Sequence, residues 1–584
     1  MSSIYVKTGT LINKKFRELF LPTVLAAMAE QLGVIANGII VGNLIGTNAL
    51  TAVSACLPLI QIVAGFGILI STGSTGLIAI ASGEGNHKKA NYIFSSVLTL
   101  GMIFSAVFLL LMASYTREIA SLLSSVEELQ PLISEYLTML VIGAPLLLIS
   151  LTWEMMLRTD GQAKIISRGI FLGQVLNVVL TCLFVGSFAM GVRGAGLALV
   201  VSTLSGGAYM IFNYLRSPER SLKFVNVLSN GLGEFFTQAA EIAKSGIPAA
   251  CTIGLVSLKI WAIYQILGET GGAEAMTLFA ICMACLSVTS MCISGCNGAM
   301  MPVVGMLFGE KDFSGMRLLI KYVLKFSLAI SGAFVLFVMI CPQIILQVYN
   351  VDANLYGAGE TALRLFSISL IGQTITTLAI YYYSTVQQRT IANILALTEG
   401  ILVVVPAAWF LSKVFGLNGV WLAFILAEVV GFLVVWLYSR QSCAKSEGKL
   451  EDVYLIEHSG AELLYDLSLK AKTDNAIKIA EGIQKSLEEK GFDRTIALRT
   501  SIALEEMTLN IAKINAKEID VDIRIKNDDG IIISLRDNGI AFNPVEYSAR
   551  DEDFLTDGIT VLKNISHKIN YNRVLSLNQT IIEI

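Results

Sequence analysis

Two short runs near the end of the chain carry residue types that could do chemistry together. Glu505-Glu506-Met507-Thr508-Leu509-Asn510 sets Glu506 and Asn510 one helical turn apart, so a carboxylate and an amide oxygen share a helix face. That pair suits a general base beside a magnesium ligand. The second run, Arg536-Asp537-Asn538-Gly539-Ile540-Ala541-Phe542-Asn543-Pro544, directly follows a strand-like segment. A different chemistry is indicated earlier in the chain. Glu30, Lys259, Glu399 and Glu428 lie inside long apolar segments, where an ionisable group is costly enough to mark a pathway, a relay or a buried pair.

The elements that must hold these residues fall into two parts, divided near Arg440. A mean hydropathy of +0.68, with 54% hydrophobic and 15% charged residues, lies outside the range of soluble globular chains. Twelve apolar segments, centred near residues 30, 65, 102, 145, 176, 203, 255, 290, 330, 372, 400 and 428, are each long enough to span a bilayer. Up to Arg440 there are 24 basic and 20 acidic residues, and beyond it 18 basic and 25 acidic. The first apolar segment is full length with no small-residue cleavage site after it, so it reads as a spanning helix and not as a signal peptide. Basic residues collect in alternate loops, such as Lys88-Lys89, Arg158/Lys164/Arg168 and Arg216/Arg220/Lys223, while Glu269 and Glu274 fall between. The positive-inside rule then puts both termini in the cytoplasm of a multi-pass plasma-membrane protein surrounded by lipid. Cys282, Cys285, Cys292 and Cys296 lie in one apolar segment with no His or acid nearby, and read as small packing residues, not as a metal or redox site.

The apolar part repeats itself. At an offset of 226, Pro22 falls on Pro248, Gly46 on Gly272 and Gly83-Glu84 on Gly309-Glu310; later, at 225, Gln162 falls on Gln387 and Gly191 on Gly416. Each half holds six segments, so the repeats are parallel, a layout that commonly puts a substrate site between the halves.

Several stretches resemble multidrug and toxic compound extrusion (MATE) transporters. These are Ala36-Asn37-Gly38-Ile39-Ile40-Val41-Gly42, Ser245-Gly246-Ile247-Pro248-Ala249, Leu157-Arg158-Thr159-Asp160-Gly161, and Asn297-Gly298 with Pro302 and Gly305. The resemblance implies an all-α, V-shaped body of twelve helices in two six-helix repeats. It also implies export of amphiphilic, cationic small molecules against a proton or sodium gradient. The expected layout is a cytoplasmic N-terminus at 1–14, an N-lobe at 15–215, an interlobe loop at 216–240, a C-lobe at 241–440 and a linker at 441–455. The pattern departs where proton-coupled members carry aspartates. Asn37 stands at one such position, and Asn177 is followed four residues on by Thr181, and neither Asn nor Thr titrates at physiological pH. Glu30 and Lys259 should lie at similar depth in the two lobes and could pair across a narrowing cleft, with Glu399 and Glu428 as alternative partners for Lys259. Glu154, one turn before Arg158, reads as an i,i+4 ion pair.

The remaining residues, 456–584, alternate strand and helix patterns. Strands are expected at 465–471, 520–525, 531–535 and 580–584, and helices at 476–489 and 497–513. With the two runs described above, this segment resembles the GHKL ATPase fold, in the anti-sigma-factor serine-kinase branch, as an α/β two-layer sandwich. The resemblance implies Glu506 as base, Asn510 as Mg²⁺ ligand, Asp537 as reader of the adenine of ATP, and Gly539 and Gly558 as points of close backbone approach. The glycine-rich phosphate stretch is reduced to Gly558, behind a loop rich in acids at Asp551, Glu552, Asp553 and Asp557. The combined expectation is an ion-coupled efflux transporter of small molecules, with a tail that is regulatory, resembles a nucleotide-binding module and addresses a cytoplasmic regulatory protein; no nucleic acid partner is expected. The alternative is a ligand-binding membrane receptor whose tail acts as a serine-kinase or anti-sigma-like regulator.

Overall fold

The computed structural model describes residues 7–584 except 47, 48, 50, 51, 54, 55, 117, 120–129, 219, 228–230, 350, 352, 447–449, 452, 458–461, 529 and 548–557. The acids of the loop before Gly558 at positions 551, 552, 553 and 557 therefore lie outside the described residues.

The apolar periodicity yields long helices. The first half contains α1 (Thr10–Leu44), α2 (Leu57–Gly83), α3 (His87–Ser114), α4 (Gln130–Thr159), α5 (Ala163–Ser187) and α6 (Gly191–Arg216). The second half contains α7 (Leu232–Gly272), α8 (Glu274–Gly309), α9 (Phe313–Ile340), α10 (Tyr356–Thr385), α11 (Arg389–Phe415) and α12 (Leu417–Lys445). Eleven are long and apolar enough to cross a membrane, and α4 makes a twelfth span if its two pieces, bent by 48°, are one. The bend lies just ahead of Pro145, whose missing N–H removes a helical hydrogen bond. The chain is a multi-pass membrane protein.

The duplication seen in the sequence has a geometric counterpart. Gly46 and Gly272, equivalent in the two halves, both have positive φ, 118° and 63°, and Gly272 breaks the path between α7 and α8. The lobes meet on the side from which the tail emerges. A methyl group on Gly83 would lie 2.2 Å from the Met306 carbonyl oxygen, and one on Gly309 would lie 2.1 Å from that of Ile80. Only glycine allows the ends of α2 and α8 to approach so closely.

Beyond α12 the chain forms a small β1–β2 ribbon (Leu450–Glu451 and Ile456–Glu457) and then a five-stranded antiparallel sheet. Its strands are β3 (Glu462–Lys470), β4 (Asp520–Asn527), β5 (Ile531–Asp537), β6 (Lys568–Val574) and β7 (Leu577–Glu583), in the order β3-β4-β5-β7-β6. Helices α13 (Thr473–Glu489) and α14 (Arg494–Ile514), with the short α15 (Gly558–Ile565), cover one face. Strand alternation explains the layering. Leu467, Val521, Ile523, Ile525, Ile533 and Leu535 point at Ile483, Leu504, Met507 and Ile511 of the helices. The intervening Asp466, Ser468, Asp522, Arg524 and Arg536 occupy the other face.

That polar face is not in water. Asp522, Arg524 and Arg536 are all buried because the sheet lies against the helix ends of the membrane part. The tip of the β6–β7 hairpin, at Leu575–Ser576, enters a cluster with Leu11, Ile12, Met306, Leu307 and Val386, so one apolar core joins both lobes and the tail.

Candidate functional site

Two polar centres lie inside the membrane part, one per lobe. In the first, a cavity of about 100 Å³ is lined by Glu30 from α1, Glu154 from α4, Gln174 and Asn177 from α5, and Ser202 and Thr203 from α6. Thr181 donates its hydroxyl to Asn177 Oδ1 at 3.3 Å, both residues being buried. Asn37 Oδ1 is a buried acceptor with no hydrogen-bond partner among the described residues. Glu154 forms the expected ion pair with Arg158. It also faces the cavity with Glu30, which reading Glu154 as a helix-surface pair did not anticipate. The guanidinium of Arg158 reaches Gly298 on α8, 2.4 Å from where a methyl group would sit, and so touches the opposite lobe.

In the second lobe, Lys259 of α7 is buried and donates to the backbone oxygen of Glu399 at 3.1 Å. Glu399 Oε1 accepts from Thr377 at 3.4 Å, and Gln373 lies beside the same carboxylate. Glu428 of α12 accepts from Thr376 at 2.9 Å. The structure thus gathers Lys259, Glu399 and Glu428, whereas the charged neighbours of Glu30 are Glu154 and Arg158. Glu399 lies in a π-helical stretch, Thr398–Leu402, and α5 ends in another, Cys182–Ser187. Such bulges recur at functional positions because they re-aim side chains.

The two centres are equivalent by the repeat. Offsets of 226 and 225 carry Lys259 and Glu399 onto Gly33 and Gln174, and Glu428 onto Thr203. A Cβ on Gly33 would lie 2.0 Å from Gln174 Oε1, so the neutral pair touches where the charged pair does in the other lobe. One duplicated position therefore holds an amide against bare backbone in the first lobe, and an ammonium against a glutamate in the second.

The tail brings a third centre. Asp312 caps α9 by accepting from the Gly315 N–H at 3.0 Å. It also meets Lys7 at 2.6 Å, Arg536 at 3.1 Å and Arg524 at 3.4 Å. Arg536 bonds Glu310 as well, and Lys7 reaches Asp466 at 3.0 Å. Burial pushes the Asp312 carboxyl up, but Lys7 and Arg524 outweigh it and hold the group far below the usual carboxylate range. Burial raises Asp522, on the same face, to about 6. On the first-lobe side, Asn572 donates to the Ser82 carbonyl at 2.5 Å, and Leu575 backs onto Gly161, where a Cβ would lie 3.1 Å from its Cα. The linker is fastened too, since the hydroxyls of Tyr382 and Tyr383 donate to the Tyr454 and Val453 carbonyls at 2.9 and 2.6 Å.

Of the tail residues singled out by sequence, Glu506 and Asn510 share one face of α14, and Glu506 lies against Gly558, where a methyl group would clash with Oε2 at 1.8 Å. Asn510 Oδ1 is a buried acceptor without a partner among the described residues, which fits a cation ligand. Asp537 Oδ1 accepts from the Gly539 N–H at 2.8 Å and from Asn578 Nδ2 at 2.9 Å. Among the described residues no group of three His, Cys, Asp or Glu side chains could hold a metal ion. Cys282, Cys285 and Cys296 are free and buried.

Comparison with known proteins addresses the membrane part. A family model described as MatE matches residues 22–183 and 248–410, together more than half of the chain and one segment in each repeat. The multidrug export protein MepA of Staphylococcus saprophyticus is 23% identical over 437 residues, which cover 74% of this chain and 95% of that protein. MepA of Staphylococcus haemolyticus is 25% identical over 431 residues, 73% of this chain and 93% of the relative. Among solved structures, a multidrug resistance MATE family transporter in an outward-facing conformation superposes with a TM-score of 0.68 at 21% identity, covering 75% of this chain and 97% of that one. A MOP superfamily transporter from Pyrococcus furiosus gives 0.66 at 21% identity, with 74% and 97% covered.

Proposed function

This chain belongs to the MatE family, and from that premise we propose that it is a secondary exporter of amphiphilic cations in the plasma membrane, working by ion-coupled alternating access. The observation that carries the reading is one buried polar centre in each of two duplicated lobes that close on a seam of glycines. Rocking of two such lobes exposes a site between them to each side in turn. The relatives named as multidrug exporters support the substrate class. Asn37, Asn177 and Thr181 cannot exchange protons in the working range. Coupling by proton or sodium would then fall to Glu30 and Glu154 in the first lobe, and to Lys259, Glu399 and Glu428 in the second.

The tail acts on this cycle from the cytoplasm, where both termini lie. Its contacts with Ser82 and Gly161 of one lobe and Glu310 and Asp312 of the other favour the state closed on that side. Opening towards the cytoplasm then requires the tail to let go of one lobe. The Asn510 oxygen, without a partner among the described residues, and the hydrogen-bonded Asp537 support a GHKL-like module in which Asn510 would hold Mg²⁺ and Asp537 would read ATP. Bound nucleotide would supply a phosphate-dependent signal, while release of the tail rests on its own ion pairs.

The test is counterflow of a fluorescent cation in proteoliposomes with an imposed pH or sodium gradient. Gradient-driven flux that rises when the tail is undocked is expected. Saturable ligand binding without flux would instead favour a receptor that signals through its tail. Titration of the full chain with Mg-ATP, with Asn510→Ala as control, separately tests the nucleotide: no heat in either protein removes it from the proposal.

A further inference from the structure

Along most of the seam between tail and membrane part, charge meets countercharge. One region does not follow this rule. A cavity of about 1100 Å³ separates the tail from the first lobe. Lys14, Lys15, Lys164, Arg220 and Lys223 line it from the membrane side, and Lys517 and Arg573 from the tail; of these only Lys14 meets a tail carboxylate among the described residues, Asp520 at 3.5 Å. Among the described residues the one carboxylate in the lining is Glu18, which is shared by Lys15 at 3.1 Å and Lys164 at 3.9 Å. No carboxylate among the described residues pairs with Arg220, Lys223 or Lys517. Docking therefore brings two faces of the same sign together around solvent, an arrangement that costs free energy unless an anion occupies the gap. The volume is that of a sizeable small-molecule site. Glu506, Asn510, Asp537 and Gly558 do not line it, but Gly539 does, and Arg573 lies 3.5 Å from the Gly539 carbonyl, so the cavity abuts the adenine end of the site proposed for ATP while the residues proposed for Mg²⁺ and phosphate lie outside it.

We propose that this cavity binds a phosphate-bearing ligand carrying two or more negative charges, held between Lys164, Arg220 and Lys223 of the membrane part and Lys517 and Arg573 of the tail. Arg573 already bonds Asn578 at 2.6 Å, which fixes its guanidinium at the wall. Asn572, Asn91 and Asn515 supply neutral polar groups around the same space. Because each face contributes only part of the cation set, the complete site exists only while the tail is docked. A ligand that binds one of two states shifts the equilibrium towards it, so occupancy strengthens docking. The chemistry fits a soluble polyphosphate and the headgroup of an anionic lipid alike, since the cavity lies at the level of the helix ends.

The experiment uses the full-length protein in neutral-lipid nanodiscs, titrated calorimetrically with inorganic pyrophosphate in the absence of Mg²⁺. Binding is expected to weaken as salt is raised, and to be weaker by about tenfold for each cation removed in Lys223→Ala and Lys517→Ala, both exposed side chains that leave the folded core intact. Asn510→Ala should bind as the parent does both without and with added Mg²⁺, which separates this site from the nucleotide proposal. In nanodiscs containing phosphatidylglycerol, unchanged pyrophosphate binding identifies a soluble ligand. Suppressed binding that returns in phosphatidylcholine identifies the lipid headgroup as the same chemistry from another source. Absence of pyrophosphate binding in neutral nanodiscs, or equal binding in the Lys223→Ala/Lys517→Ala double variant, overturns the proposal.

Discussion

Arg536 of the tail and Asp312 at the start of α9 lie 3.1 Å apart, with side chains only 7% and 2% exposed. Two residues 224 apart in sequence thus form the centre of a charge network buried between tail and membrane part. Removing one partner of such a pair strands the other in a low-dielectric setting and costs about 3–5 kcal/mol. Arg536→Ala is therefore expected to undock the tail. Spin labels at Lys325 on α9 and Lys485 on α13, both exposed, would report a longer and broader distance. An unchanged distance would show that the network does not hold the tail.

Docking should respond to pH through Asp522. Burial raises its pKa to about 6, against partial relief from Lys7 and the Ser468 hydroxyl. A carboxyl raised on docking takes up a proton as the tail binds, so docking gains strength as pH falls from 7.5 to 5. Asp466, raised mainly by burial, adds the same sign. Asp312 stays ionised throughout that window, and Lys526, which burial lowers to about 8, adds a slope only above it. The docked fraction of the label pair should rise on acidification, with the equilibrium changing roughly tenfold per pH unit at its steepest, and Asp522→Asn should flatten the response. A fall in docking on acidification contradicts the assignment.

The hairpin tip offers a substitution with two opposite effects. Leu575 and Ser576 have φ of 54° and 59°, a left-handed pair normally made by Asn-Gly. A non-glycine residue there costs about 1–3 kcal/mol. Leu575→Gly should relieve that strain while removing a buried side chain worth about 1.5–3 kcal/mol to docking. The label pair should show a weaker docked population, and the tail's own thermal transition should not fall. Loss of both together would mean that Leu575 serves the tail's internal core instead.

The second-lobe centre predicts non-additive substitutions. Lys259→Met leaves Glu399 and Glu428 without their ammonium, and should destabilise the protein by about 3–5 kcal/mol. The double variant Lys259→Met/Glu399→Gln should recover most of that, because neither charge is then stranded. Thermal stability of the four proteins of the cycle tests this, and strict additivity rejects the coupling. In transport, Glu30→Gln and Glu154→Gln should each lower gradient-driven flux about tenfold or more, with counterflow at equal pH less affected.

Much of the membrane part was legible because spanning helices are marked by length and apolarity. All twelve expected centres fall within the observed helices. The strands at Tyr465, Asp520 and Ile531 and both long tail helices were also legible from their period. Strand β6 was not. Tyr571, Asn572 and Arg573 break its apolar alternation, and its turn lacks the glycine or asparagine that signals a hairpin. Nor was the docked face legible. A row of Asp466, Ser468, Asp522, Arg524 and Arg536 reads as the solvated side of a sheet, since alternation shows which residues share a face but not what covers it. Glu154 was assigned to its helix neighbour alone because sequence spacing shows local partners and hides those supplied by α1 and α5.

The short connection from Lys445 to Leu450 has a kinetic meaning beyond fastening. A module on so short a tether meets its own binding surface at an effective concentration near millimolar. A contact with an intrinsic Kd of about 0.1 mM would then be occupied roughly nine-tenths of the time. It could still release often enough to follow a transport cycle. The same tail supplied as a separate polypeptide at micromolar concentration would scarcely bind. Being one polypeptide lets the partners stay weak enough to come apart.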